Sequence, residues 1–156
     1  MTPLAELRLH RLLVAVDGSD SADLALSAAV TAARRDHAAI TLITVSPDVL
    51  SDPRFAFAMI DTASIQTDAD KAAEKLLRET VERIPQDIPV TTVFRRGRPG
   101  PEIVAHSEEQ PYDAILLGAR GLGRVHALMG SVSQHVMHHA RVAVFVAHAP
   151  KAAPVS

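Results

Sequence analysis

Five short apolar runs, separated by stretches with helical periodicity, constrain the fold of this chain more than any other feature. The runs are Leu12 to Val16, Ala39 to Val45, Val90 to Phe94, Ala114 to Leu117 and Val142 to Ala147. Several are apolar almost throughout instead of alternating, the pattern of strands buried on both faces. After the first run, Ala22, Leu26, Ala29, Val30 and Ala33 make one apolar stripe; Arg34 and Arg35 follow it and suit a helix C-terminus. Ala69, Ala73, Leu76, Leu77, Thr80 and Ile84 make a second stripe, which Pro85 ends. Pro101 fits the first turn of a short third helix with Ile103 and Val104, and a fourth helix starts near Ser131 with Val132 and Val136 on one face. The order βαβαβαβαβ requires right-handed crossovers. It predicts an α/β fold, Rossmann-like in class: a doubly wound, five-stranded parallel sheet with helices on both faces.

A chain of 156 residues suits one domain over 1–156, with a core from 10 to 148. Aromatic residues are 3% and Trp is absent, so Ala, Val, Leu and Ile must build that core. Two stretches break the rhythm. Residues 46–61, with Pro47, Pro53, Phe55 and Phe57, read as a long connection capping the sheet; a lid or partner surface is the alternative. Residues 149–156 are rich in Ala and Pro and read as a flexible tail. The formal net charge of -2 gives no basic face for capturing nucleic acid. The chain has no Cys, which excludes disulfides, thiolate nucleophiles and zinc ribbons. No run is long enough for a signal peptide's apolar core or a membrane span, so a cytoplasmic place without a membrane partner is the expectation.

The segment richest in chemistry is Leu116-Leu117-Gly118-Ala119-Arg120-Gly121-Leu122-Gly123, followed by Gly130-Ser131 at the next helix start. Four of the chain's seven glycines fall between 118 and 130, which frees the main chain to turn sharply and lets another group approach it closely. A helix starting at Ser131 aims unpaired N–H groups and its positive dipole end into the same space, a ready anion site to which the Ser131 hydroxyl adds a donor. At the end of the first run, Asp17 precedes Gly18 and Ser19. That carboxylate suits helix capping, or acceptance of ribose hydroxyls, or support of a phosphate-bound metal ion. Ligands of doubly wound sheets sit where neighbouring strands send their chains in opposite directions. If the first and fourth strands are neighbours, Asp17 and the glycine run face each other there.

Over Leu12 to Ala147 the chain resembles the universal stress protein family. The matching segments are Leu13-Val14-Ala15-Val16-Asp17-Gly18-Ser19, Thr41-Leu42-Ile43-Thr44-Val45, Gly97-Arg98-Pro99, Tyr112-Asp113-Ala114-Ile115-Leu116-Leu117-Gly118, Gly130-Ser131-Val132-Ser133 and His138-His139-Ala140. The resemblance implies strand order 3-2-1-4-5, the architecture of the adenine nucleotide alpha hydrolases, and a homodimer joined through the last strands. It also implies an ATP site, in which Asp17 meets the ribose and the backbone around Ala15, Val16 and Val45 lines the adenine. Leu117 falls beside base and ribose; Gly118, Arg120, Gly121, Gly130, Ser131 and Val132 match phosphate-holding positions. Cyclic AMP is a further candidate ligand, and magnesium would accompany ATP. The family's ATP-binding signature is Gly-x2-Gly-x9-Gly-Ser/Thr, whereas eight residues separate Gly121 from Gly130 here. One missing residue can displace Gly130 by up to about 3.5 Å along an extended chain, and Gly123 is placed to absorb the change. The last strand has Val142-Ala143 in place of the family's usual Pro, and Thr44 stands where a His is frequent.

Other signals point to solvated surface. His135 and His139 are one turn apart with no flanking carboxylate in sequence, and Glu102 and His106 read as a weak surface pair. Arg95, Arg96 and Arg98 read as a solvated strand end. Ser131 and Ser133 lack the Gly-x-Ser-x-Gly elbow of a nucleophile, and no Lys follows the glycine run as a Walker A loop needs. With no positioned general base beside Asp17, the function expected is regulatory nucleotide binding in a stress response, changing the surface shown to an unidentified protein partner. Its alternatives are slow magnesium-dependent ATP hydrolysis, or a scaffold of the same family that has lost ATP.

Overall fold

The structure is a computed structural model, and it describes residues 1–121 and 129–150. Strands β1 (Arg11–Ala15), β2 (Ala39–Ser46), β3 (Val90–Arg96), β4 (Ala114–Gly118) and β5 (Ala143–Ala147) alternate with helices α1 (Asp20–Asp36), α2 (Thr62–Glu82), α3 (Pro99–Glu109) and α4 (Ser131–His139). They form one parallel sheet of order β3-β2-β1-β4-β5, so the expected topology is present.

Alternation along β1 explains the two layers. Leu12 and Val14 join Ile40, Leu42, Ala114 and Leu116 on one face, against Ala25, Leu26 and Ala29 of α1 and Leu77 of α2. Leu13 faces the other way with Ile43, Ile115 and Leu117, against Ile103 and Val104 of α3 and Val136 of α4. Leu12, Leu13, Ile40, Leu42, Ile43 and Ile115 are wholly buried, and burial of each such side chain contributes about 1.5–3 kcal/mol. At the entry to β1, Asp113 Oδ2 accepts the His10 and Arg11 N–H groups at 2.7 and 2.9 Å, and Asp36 Oδ2 accepts that of Leu9 at 2.9 Å.

Two expectations are corrected and one is refined. The arginines at the end of β3's apolar run do form a partly solvated strand end, with Arg96 and Arg98 exposed and Arg95 half-buried. β3 continues through the first two, pairing Arg95 with Val45 and Arg96 with Ser46. Their side chains are neutralised: Arg95 bonds Glu102 at 2.7 Å and Glu109 at 2.9 Å, and Arg96 bonds Asp70. Glu102 and His106 therefore do not pair. Glu102 is taken by Arg95, and His106 is buried, with Nε2 2.9 Å from the Tyr112 hydroxyl and Nδ1 3.2 Å from Glu109. Nor is His135 fully solvated: it is half-buried, with its Cβ against Gly100 and its ring stacked 4.1 Å from that of His139. Burial, with His139, Arg98 and His138 nearby, holds the His135 imidazole below its usual pKa.

The connection after β2 is pinned at its root. Buried Gln66 of α2 accepts the Val49 N–H at 2.7 Å and donates to the Pro47 carbonyl at 3.0 Å and to Asp70 at 2.8 Å. Asp70 also accepts from the Ser46 hydroxyl at 3.0 Å, and the Arg96 guanidinium holds its carboxyl below the usual range. Beyond this knot the chain makes one 3-10 turn at Pro53–Phe55 and leaves Leu50, Phe57, Met59 and Ile60 exposed. Residues 151–156, most of the expected tail, lie outside the described residues.

Candidate functional site

β1 and β4 are neighbours, and their chains leave the sheet in opposite directions. The first goes to α1 beyond β1 and the second, past β4, to α4. A cavity of about 240 Å³ lies between these exits. Its walls include Ala15, Val16 and Asp17 after β1, Thr44 and Val45 of β2, Leu117 and Gly118 of β4, Gly121, and the α4 start at Gly130, Ser131 and Val132.

The β1 exit is shaped by three residues in a row. Gly18 has φ +83°, a left-handed turn that favours glycine. Ser19 caps α1, its hydroxyl oxygen accepting the Ala22 N–H at 3.2 Å. Asp17 braces that cap rather than making it: its Oδ1 accepts both the Ser19 hydroxyl, at 2.5 Å, and the Ser19 N–H, at 2.9 Å. Oδ2 faces Gly121, whose Cβ, had it one, would lie 2.9 Å from that oxygen. Asp17 is exposed, and among the described residues its Oδ2 receives no hydrogen bond. One oxygen is thus structural while the other is open to a ligand.

The opposite wall is an uncapped helix. Gly130 occupies the N-cap of α4 with no side-chain hydrogen bond to the first-turn N–H groups, and Gly130, Ser131 and Val132 line the cavity. The Ala119 carbonyl fixes this start in place, accepting the Gly130 N–H at 2.6 Å and the Ser133 hydroxyl at 2.9 Å. Ser133 is consequently a buried brace, and Ser131 is the exposed hydroxyl at the cavity. Despite the shorter glycine segment, Gly130 returns beside Gly121: a Cβ built on it would be 3.9 Å from the Gly121 nitrogen. The expected role of Gly123 lies outside the described residues.

At Gly118, Gly121 and Gly130 glycine serves close approach, not left-handed geometry. Among the described residues the glycines with positive φ are Gly18 and Gly97. A Cβ on Gly118 would run into the Ser21 hydroxyl and the Ala22 nitrogen of α1. Arg120 is not among the lining residues; its main chain engages Ser21. Asp17 is the one charged side chain among the described lining residues. The site residues expected from sequence leave out Ala22, Ile43, Thr44, Pro99, Ile103, Ala119 and Ser133 of this wall. Pro99 and Ile103 were legible only as helix residues, since nothing local says that the α3 start closes over β2.

The universal stress protein family model matches residues 8–148. The chain belongs to the universal stress protein family. It is 28% identical over 134 residues to universal stress protein YxiE of Bacillus subtilis, a match covering 81% of this chain and 90% of that one. Universal stress protein UspA from Lactobacillus plantarum superposes with a TM-score of 0.78 at 26% identity, covering 91% of this chain and 99% of its own. A universal stress protein in complex with cAMP shares the fold, with a TM-score of 0.68 at 21% identity and coverage of 92% and 100%. No described helix of this family member is long and apolar enough to cross a membrane.

Proposed function

We propose that the cavity binds an adenine nucleotide, ATP in the first place and cyclic AMP as the rival, and that the protein acts as a nucleotide-responsive regulator in the cytoplasm. The observation that carries this reading is the open Asp17 Oδ2 standing opposite the uncapped start of α4 in one cavity. The base would lie along Ala15, Val16, Val45 and Leu117, with Pro99 and Ile103 closing an apolar slot. Asp17 Oδ2 would accept a ribose hydroxyl. The phosphates would meet the α4 N–H groups, the Ser131 hydroxyl and the main chain at Gly118, Arg120, Gly121, Gly130 and Val132. The cAMP complex of a fold relative supports the ligand class.

Magnesium is usually held through one or two carboxylates plus the phosphates of its nucleotide, and Asp17 is the carboxylate available at this cavity. No second carboxylate or imidazole lines the described wall to act as a base, which favours binding over turnover.

Losing the Ser131 hydroxyl removes a hydrogen bond to a charged phosphate. Ser131→Ala should weaken ATP binding by about 1.5–3 kcal/mol in titration calorimetry. Unchanged affinity would remove the phosphates from α4. Mass spectrometry of the small molecule released from purified protein identifies the natural ligand; no nucleotide and no thermal stabilisation by ATP would favour the scaffold reading instead.

The same proposal includes a homodimer through β5. Among the described residues that strand is a sheet edge, paired with β4 alone, and Phe145 stands 42% exposed on it. Unpaired edges template further pairing unless blocked. Phe145→Lys should shift the sedimentation coefficient from dimer to monomer; a wild-type chain that sediments as a monomer would refute this part alone.

A further inference from the structure

Serine and threonine inside helices usually bond their own helix. α1 follows that habit at Ser27 and Thr31, whose hydroxyls donate to the carbonyls of Asp23 and Ser27, four residues back, at 3.0 and 3.1 Å. Ser21, in the first turn of the same helix, does not. Its hydroxyl donates across a sequence separation of 99 residues to the Arg120 carbonyl at 2.5 Å, and the Arg120 N–H approaches the same oxygen at 3.4 Å. A hydroxyl has one donor and two acceptor positions, so both contacts are compatible. Ser21 is only 4% exposed, and its oxygen lies in the space that a Cβ on Gly118 would need. It therefore grips the main chain from 118 to 120 from the α1 side.

The grip joins two halves of the cavity. The start of α1 carries the Asp17–Ser19 brace, and the segment held by Ser21 leads into Gly121, which faces Asp17 Oδ2. From the sheet side the same segment is anchored separately: the Ala119 N–H donates to the Ala147 carbonyl at 2.7 Å. With β5 fixing one side, the Ser21 hydroxyl sets how far the main chain at 120–121 stands from α1 and Asp17.

We propose that Ser21, which does not line the cavity, is a positioning residue that sets the phosphate-binding main chain at the distance from Asp17 that a bound nucleotide needs. This rests on the nucleotide reading of the cavity, and separates ribose and base, held from β1 and β2, from phosphates held across the gap. Ser21→Ala should then lower ATP affinity about tenfold while leaving adenosine affinity within about twofold, the size of one lost positioning hydrogen bond. Ser27→Ala, whose bond is local to α1, should change neither.

The test is calorimetric titration of wild type, Ser21→Ala and Ser27→Ala with ATP and with adenosine. Amide exchange of Arg120 in the wild type is followed alongside, and needs no variant to fold. ATP should slow exchange at the Arg120 N–H and adenosine should not. A merely structural serine would lower both affinities together or neither, and either result overturns the proposal. So does an Arg120 amide indifferent to ATP. A wild type that binds neither ligand overturns the nucleotide reading itself and this inference with it; an intact wild type with a parallel loss in Ser21→Ala overturns this inference alone.

Discussion

Gly118→Ala is expected to lower the free energy of unfolding by about 3 kcal/mol, the upper end for inserting a carbon into packed space. The added Cβ would meet the Ser21 hydroxyl, the Ala22 nitrogen at 2.6 Å and the Ser21 carbonyl carbon at 2.7 Å. The hydroxyl could rotate away, but the two backbone atoms belong to the first turn of α1 and cannot move without it. α1 packs across β1 and β4, with Ala25, Leu26, Ala29 and Ala33 buried. Relief would therefore part a helix from the middle of the sheet. Urea denaturation followed by circular dichroism measures the loss; a variant as stable as wild type would mean that α1 and β4 are not this close.

Three residues on, the same kind of exchange should leave the fold alone and strike the ligand. Gly121→Val is expected to weaken ATP binding by at least about a hundredfold, or roughly 2.8 kcal/mol at 1.4 per decade. Gly121 is half-exposed and its φ is not in the left-handed region, so valine meets no backbone penalty there. The first atom it would encounter is Asp17 Oδ2, 2.9 Å from the new Cβ. Its two methyl groups would then occupy the gap between Asp17 and the α4 start, where ribose and phosphate must pass. Calorimetry on the variant, with its thermal midpoint as control, checks this. Near-wild-type affinity would place the nucleotide elsewhere. The contrast between the two glycines, one serving a helix and one a ligand, is itself a test of the geometry.

Periodicity carried most of the fold. Leu12 to Val14 and Ala114 to Leu117 are buried on both faces, which leaves an unbroken apolar run in the sequence for a reader to find. Strand order is different: the pairing of β1 with β4 across some hundred residues leaves no local trace, and the family resemblance was needed to anticipate it. The site divides the same way. Asp17, Gly121 and Ser131 were legible because capping residues and glycines cluster where strands meet helices. Ser21 was not, because the residue it serves is 99 positions away. Helical spacing misled at Glu102 and His106. They are one turn apart, but burial took His106 to Tyr112, and Arg95, seven residues upstream on a strand, took Glu102.

The clasp at the Ala119 carbonyl has a consequence for how this architecture can diversify. By tying Gly130 directly back to the end of β4, it fixes the start of α4 against the scaffold whatever length of chain joins the two. Changing the length of a connection between two fixed points alters its closure entropy by only about 0.6 kcal/mol per doubling. Natural variation or an inserted reporter peptide is therefore expected to resize this connection while the clasp, and the scaffold with it, keeps its shape.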